Sequence, residues 1–123
     1  ITGAYATLNL LKSKPILKTI EKRGQRLMDG LKEIFEENDI QAVFTGYPAM
    51  FSFSFGIDTV SCQRDWAKSD HDLYIKLADR AIARGVMPDR DAREPWFLCY
   101  EHSDADVDET LNVYAEIVKE VKK

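Results

Sequence analysis

The sequence of 123 residues is poor in the features that assign a function at sight. Its two cysteines, Cys62 and Cys99, lie far apart and form no CxxC pair. A disulfide framework is therefore disfavoured, and a reducing, cytoplasmic compartment is the simpler interpretation. No apolar run approaches the ~20 residues that a membrane-spanning helix needs, so we expect no membrane partner. The amino-terminal residues lack the basic and apolar regions of a signal peptide.

Charge, histidine and glycine patterns exclude further classes of function. The formal net charge is −4, with basic and acidic residues interspersed, so the basic stripe of a nucleic-acid-binding protein is missing. His71 and His102 are not spaced as metal ligands, and no metal site is predicted. The six glycines are scattered and form neither a GxGxxG motif nor a P-loop. The acidic residues between 104 and 109 coincide with a predicted helix start, where capping explains them.

Periodicity predicts two helices in the first third of the chain. Ala4 to Leu11 reads as a short helix or the end of a longer one, and Pro15 follows it. Apolar residues then recur at three- and four-residue spacing from Leu17 to Phe35, which predicts an amphipathic helix of about six turns. Asn38 and Asp39 are expected to end it.

A hairpin is predicted next. Residues 42–45 form a short strand candidate, residues 46–49 a turn, and residues 50–55 a strand that alternates strictly, with Phe51, Phe53 and Phe55 on one face. Residues 56–69 are expected to form a loop that contains Cys62 and Trp66.

The last half of the chain predicts two more helices and short extended segments. Ser69 is expected to cap a helix that ends at Gly85, with Gly85 in a left-handed conformation. Val86 and Met87 are expected to be extended, residues 96–100 to form a strand, and residues 103–106 to cap a last helix. This order predicts an α+β fold, a small antiparallel sheet with helices packed on one face.

Two local features remain as candidates for chemistry. Cys99 lies in an apolar strand pattern, so we expect it in the core, whereas Cys62 lies in a polar loop. Residues 89–95 form a charged loop between two short strands, which suits either a functional loop or a solvated one with surface ion pairs.

Several stretches, in order along nearly the whole chain, resemble the C-terminal part of class III pyridoxal-phosphate (PLP) aminotransferases of the glutamate-1-semialdehyde 2,1-aminomutase kind. The stretches are Gly3-Ala4-Tyr5-Ala6-Thr7-Leu8, Thr45-Gly46-Tyr47-Pro48-Ala49-Met50-Phe51, Arg84-Gly85-Val86-Met87-Pro88, Glu94-Pro95-Trp96-Phe97, and His102 to Thr110. Each piece is weak alone, and their order makes the set fairly specific.

The resemblance implies that residues 1–123 are the C-terminal small domain of a larger fold type I enzyme, with residues 1–14 the end of a connecting helix. The parent would hold PLP through a lysine outside this segment, act on a small amino or keto substrate, and form a homodimer. No catalytic or cofactor-binding residue is expected here. The resemblance places Glu94 near the substrate, and Arg93 beside it could pair with a substrate carboxylate. The small domain would shape and close the active site.

Departures from the family pattern surround the substrate side. The loop from Pro88 to Glu94 is about two residues longer than in the aminomutases, Ala49 replaces a glycine, and Tyr100-Glu101 replaces small residues before His102. They favour an aminotransferase with another amino donor or acceptor.

Two other functions stay open from the residues themselves. The first is a stand-alone α+β binding or dimerisation module that uses Tyr47, Trp66 and Trp96 as exposed aromatics. The second is a thiol enzyme that uses Cys99 and His102. The helix-like start at Ile1 favours a piece cut from a longer protein, through cloning or processing.

Overall fold

The computed structural model describes residues 1–121, and its first two elements are helices, as predicted. Helix α1 spans Thr2–Ser13 and helix α2 spans Ile16–Glu37. The apolar stripe of α2 is buried at Gly24, Leu27, Leu31 and Phe35. In contrast, α1 buries none of its residues and has few contacts with α2.

The sheet has three antiparallel strands in the order β1-β2-β3. Strand β1 spans Ala42–Tyr47, β2 spans Met50–Phe55 and β3 spans Trp96–Phe97. The predicted hairpin is confirmed, but its ladder runs two residues further than expected, with Tyr47 opposite Met50. Gly46 has a φ of 101° and lies so close to Met50 that a Cβ would stand 2.5 Å from its carbonyl oxygen, so glycine is required there.

The segment 56–69, predicted as a loop, contains a short helix, α3 (Gln63–Trp66). The Asp65 carboxylate accepts the backbone N–H of Ser61 at 3.1 Å, and this bond lowers the pKa of Asp65 below its ordinary value. Periodicity over one turn is too short a signal to reveal such a helix.

Helix α4 spans His71–Ala83, and hydrogen bonds to backbone groups define both of its ends. The cap is Asp70 rather than the predicted Ser69: Asp70 Oδ1 accepts the Leu73 N–H at 2.9 Å, while the Ser69 hydroxyl donates to the Trp66 carbonyl. At the other end Gly85 has a φ of 88°, which confirms the predicted left-handed residue. Val86 N–H donates to Ala81 O, which completes a Schellman turn.

Two predicted extended segments are shorter than expected. Val86 and Met87 form no strand, because the Val86 N–H is used in the turn that ends α4. The predicted strand 96–100 keeps only residues 96 and 97 as β3. Leu98 N–H still donates to Ala49 O, but Pro48 and Ala49 form the hairpin turn, so β2 offers no further partner.

Helix α5 spans Asp104–Val121 and begins with the predicted cap. Ser103 and Asp106 form a reciprocal capping box, in which the Asp106 carboxylate accepts the Ser103 N–H at 2.6 Å and Ser103 Oγ accepts the Asp106 N–H at 3.2 Å. Helices α2, α4 and α5 cover the sheet face that carries Phe51, Phe53 and Phe55, which confirms the α+β prediction. Within residues 1–121 no helix is both long enough and apolar enough to cross a membrane.

Candidate functional site

A cleft of about 460 Å³ lies between the segment that follows α4, strand β3 and the start of α5. Its apolar walls come from Val86, Trp96 and Val107, among others. Four carboxylate side chains line it as well, and no lysine or arginine of residues 1–121 does. The four acidic residues are Asp89, Glu94, Asp106 and Glu109.

Glu94, the residue that the resemblance places near the substrate, lines this cleft and is exposed. Its backbone N–H donates to Asp91 O at 3.0 Å, at the end of a tight turn. This hydrogen bond fixes the Glu94 backbone, and the exposed side chain lines the cleft. This position agrees with a substrate-proximal role, which remains a prediction.

Arg93, although adjacent in sequence, lies elsewhere. Its guanidinium forms a two-point pair with the Asp91 carboxylate, and it lines a smaller concavity of about 280 Å³ together with Ser52 and Trp66. The Arg93 side chain lowers the pKa of Asp91 to about 2. Glu94 and Arg93 thus open onto different cavities, and Arg93 already has a carboxylate partner within the chain.

The loop that carries both residues is tied to the body of the domain at two points. Arg90 forms a bidentate pair with Asp79 of α4, with Nε to Oδ1 at 2.5 Å and Nη2 to Oδ2 at 3.1 Å. The buried Tyr74 hydroxyl donates to the Asp89 carbonyl at 3.0 Å and accepts Trp96 Nε1–H at 3.3 Å. Burial raises the pKa of Tyr74. These ties fix the loop between helix α4 and strand β3.

His102 is a further residue of the cleft, and the sequence placed it in the family motif and, as an alternative, beside Cys99 in a thiol enzyme. Its Nδ1 accepts the backbone N–H of Cys99 at 2.9 Å, so a neutral imidazole carries its proton on Nε2. Cys99 itself is exposed rather than buried, which corrects the expectation of a core residue. It leaves the core because β3 has already ended. The contact between the two residues uses the backbone of Cys99 rather than its thiol, which does not favour a thiol nucleophile.

The remaining aromatic candidates differ in exposure. Tyr47 is 77% exposed, as expected for an interaction residue. Trp66 and Trp96 are half-buried, which corrects the expectation that they are exposed. Trp66 packs on the His71 ring, with centroids 4.1 Å apart, and Trp96 packs on Phe51 and Phe53. Both tryptophans therefore contribute mainly to packing.

The cleft does not fit PLP. A phosphate ester needs N–H donors or positive charge, but the cleft side chains are mainly apolar or acidic. The lysines of residues 1–121 are all exposed, and none lines the cleft. The same residues also contain no group of three or more His, Cys, Asp or Glu that could hold a metal ion.

Sequence comparison gives a consistent set of relatives, although no family model matches. The chain is 28% identical over 123 residues to the glutamate-1-semialdehyde 2,1-aminomutase of Thermoplasma acidophilum, covering 100% of this chain and 29% of the relative. The Thermoplasma volcanium enzyme is 30% identical over 121 residues, and the Clostridium novyi enzyme is 29% identical over 119 residues. These two alignments cover 98% and 96% of this chain, and each covers 28% of the relative.

The chain resembles glutamate-1-semialdehyde 2,1-aminomutases throughout its length. That resemblance, predicted from the motifs, is confirmed, and the chain spans less than a third of the length of the curated relatives it matches. Solved structures agree on the fold. The PLP internal aldimine form of the FumI protein of Sphingopyxis sp. MTA144 superposes with a TM-score of 0.76 at 23% identity, over 97% of this chain and 26% of that one.

A second solved structure shows the same fold at lower identity. An omega-transaminase from Sphaerobacter thermophilus gives a TM-score of 0.70 at 14% identity, over 86% of this chain and 24% of that chain. The three-stranded antiparallel sheet with its covering helices is thus an arrangement that forms about a quarter of each of these two larger chains.

Proposed function

We propose that this chain is the C-terminal small domain of a cytoplasmic PLP-dependent aminotransferase or aminomutase, and that it shapes and closes the active site without being catalytic alone. The observation that carries the proposal is the match of at least 96% of the chain to less than a third of the length of three aminomutases. A segment with that relation to its relatives corresponds to one part of a larger enzyme.

The surface of α1 supports this proposal. The helix contains Tyr5, Leu8, Leu10 and Leu11, all exposed, and buries no residue of its own. An isolated helix of 12 residues is marginal in water, because most helical stability comes from packing an apolar face. Helix α1 therefore needs a partner outside this chain, as the end of a connecting helix would have.

PLP, when bound in the parent, would supply an electron sink for transfer of an amino group. The cleft described above offers PLP neither a lysine of residues 1–121 nor positive charge for its phosphate, which supports the proposal that the Schiff-base lysine and the phosphate site lie in the rest of the parent. This chain would contribute the wall that carries Glu94 and His102. Among residues 1–121 no Lys or Arg lines that wall, which favours a substrate whose group beside Glu94 is neutral or cationic, rather than a second carboxylate.

The test is made on the complete natural polypeptide. Borohydride reduction followed by peptide mapping should locate pyridoxyl-lysine outside residues 1–123. A panel of amino donors and keto acceptors should then show transfer of an amino group. A complete polypeptide that binds no PLP would refute the proposal and leave a stand-alone binding or dimerisation module as the better description.

The role of Glu94 is tested in the same protein. Glu94→Gln should lower kcat/KM for the preferred substrate, whereas Glu37→Gln, an exposed glutamate at the end of α2 that lines neither cavity, serves as the control. Equal activity of both variants and the natural enzyme would remove Glu94 from the substrate site. Sedimentation of the complete protein tests the proposed homodimer separately.

A further inference from the structure

One neutral side-chain donor stands open in the otherwise acidic cleft. Three of the lining side chains can donate a hydrogen bond as neutral groups, and they belong to Trp96, Thr110 and His102. Trp96 Nε1–H is taken by the Tyr74 hydroxyl at 3.3 Å, and Thr110 Oγ1 donates to the Asp106 carbonyl at 2.7 Å. Among the lining residues of the described chain, 1–121, His102 alone keeps an uncommitted side-chain donor, its Nε2–H.

The segment between β3 and α5 fixes the position of this imidazole. Cys99 N–H donates to His102 Nδ1 at 2.9 Å, and His102 N–H donates back to Cys99 O at 3.3 Å. From α2, Arg23 Nη1 donates to Tyr100 O at 3.1 Å, and Arg23 Nε lies 3.4 Å from the Asp104 carboxylate. Because these bonds hold the backbone on both sides of His102, the position of the ring is set before a ligand binds.

The tautomer of His102 decides what the ring can bind. With Nδ1 already used as an acceptor, the neutral ring offers Nε2–H and no further acceptor. The charged side chains of the cleft are carboxylates, which only accept hydrogen bonds when ionised: Asp89, Glu94, Asp106 and Glu109. A ligand carboxylate would meet one side-chain donor and four negative charges. A hydroxyl group, in contrast, can accept from His102 and donate to a carboxylate at the same time.

We propose that His102 is a specificity-determining residue that donates its Nε2–H to a hydroxyl oxygen of the substrate, so that the cleft selects hydroxylated amines. The inference rests on the proposed function and names a substrate class for the same site. The cleft volume of about 460 Å³ suits a small molecule. Its apolar walls, which include Val86 and Val107, would take up the carbon chain between the amino group and the hydroxyl group.

The test compares two substitutions that remove different nitrogens of the His102 ring. His102→Asn keeps an acceptor near the place of Nδ1 but removes the donor at Nε2. His102→Gln can place an N–H near Nε2 but loses the acceptor for Cys99 N–H. Both are made in the complete natural polypeptide, loaded with PLP, and His71→Asn is the control because His71 lines neither cavity.

Hexylamine and the positional series of aminohexanols are the probes. The hydroxyl preference is the ratio of kcat/KM for the best aminohexanol to kcat/KM for hexylamine, and urea unfolding reports on the turn. We expect the natural enzyme and His71→Asn to show a preference of about threefold to tenfold, as one hydrogen bond would give. His102→Asn should lose the preference at an unchanged urea midpoint, and His102→Gln should keep it at a lowered midpoint.

The opposite order of the two variants, or a natural enzyme without a hydroxyl preference, would overturn the inference and leave His102 with a structural role alone. Dissociation constants of the same probes, measured by calorimetry, separate this inference from the proposed function. A protein that transfers no amino group, yet binds an aminohexanol more tightly than hexylamine and loses this preference in His102→Asn, would refute the proposed function and leave the site standing. Amino-group transfer without any hydroxyl preference would keep the proposed function and overturn the inference.

Discussion

Gly24 of α2 lies directly against the backbone carbonyl of Pro48 at the tip of the hairpin. A Cβ built on Gly24 would stand 1.9 Å from the Pro48 oxygen and 3.1 Å from the Ala49 nitrogen. Helix and hairpin therefore meet backbone to backbone, and neither group can rotate away as a side chain could. This contact sets the distance between α2 and the hairpin end of the sheet.

Gly24→Ala should destabilise the chain. The methyl group forces helix and hairpin apart, and overpacking of this kind costs ~1–3 kcal/mol, more than the ~1 kcal/mol that alanine gains over glycine inside a helix. Urea unfolding followed by circular dichroism measures the change. Gly3→Ala on α1, where a Cβ meets nothing within 4 Å, is the control and should not be destabilising. Equal midpoints for the two variants would contradict the close contact.

The elements that sequence reasoning predicted well carry strong local periodicity. The apolar stripe of α2 and the alternation of Phe51, Phe53 and Phe55 each indicate which face of the element is buried. In the strand, the buried face also fixes the pairing register. The choice between Ser69 and Asp70 as the α4 cap could not be made locally, because both residue types cap well. It is decided by the Trp66 carbonyl, which takes the Ser69 hydroxyl.

The candidate site was predicted less completely, because its loop is shaped by distant contacts. Nothing in the order Arg93-Glu94 indicates that the two side chains reach different cavities. That outcome depends on Asp91 holding Arg93 and on Tyr74, in α4, holding Asp89. The apolar neighbours of Cys99 predict a core residue, but Cys99 is exposed because β3 ends at Phe97, opposite the first residue of β2. The length of β3 is therefore set by the partner strand and not by the residues of β3 itself.

The capping box of α5 gives a second prediction. Ser103→Ala removes the acceptor of the Asp106 N–H and should cost ~1 kcal/mol of stability. Ser13→Ala, an exposed serine in the last turn of α1, is the control and should have little effect. Urea unfolding measures both, and a loss no larger than that of Ser13→Ala would argue against the cap.

The same box predicts a pH dependence. Hydrogen bonds from the Ser103 hydroxyl and backbone N–H hold the pKa of Asp106 below its ordinary value. A carboxylate whose pKa is lower in the folded state stabilises the fold above its unfolded pKa, and this contribution is lost as pH falls through the folded pKa. The stability difference between the natural chain and Asp106→Asn should therefore shrink below about pH 4. A difference independent of pH would contradict the assignment.

Arg93 and Asp91 give a third prediction, which tests whether Arg93 is available to bind a substrate carboxylate. Because the Arg93 side chain and backbone both donate to Asp91, the pKa of Asp91 lies at about 2. In Arg93→Gln it should rise towards the ordinary range, as read from the carboxyl ¹³C shift in an NMR titration. Arg64→Gln, which alters an arginine of α3, is the control. An Asp91 pKa that does not change in Arg93→Gln would mean that Arg93 is free to bind a substrate carboxylate.

Tyr74 gives the last prediction, because it joins the core to the loop of the cleft. Tyr74→Phe leaves Trp96 Nε1–H and the Asp89 carbonyl without this partner, which should cost ~1–3 kcal/mol at neutral pH. It should also speed amide hydrogen exchange in residues 86–95. Tyr5→Phe on the exposed face of α1 is the control and should change neither quantity.

The stability of the fold above pH 10 distinguishes the contribution of the Tyr74 hydroxyl from that of its ring. Burial, with the nearby charges of Asp89 and Asp91, raises the pKa of Tyr74, and burial also raises the pKa of Tyr114. Since the folded values exceed the unfolded value of about 10, the neutral phenols stabilise the fold fully below about pH 10 and progressively less above it. Stability should thus fall above pH 10 less steeply in Tyr74→Phe than in the natural chain or Tyr5→Phe. Equal slopes in all three would mean that the Tyr74 hydroxyl reaches water, and the tie between α4 and the Glu94 loop would then have to come from Arg90 and Asp79 alone.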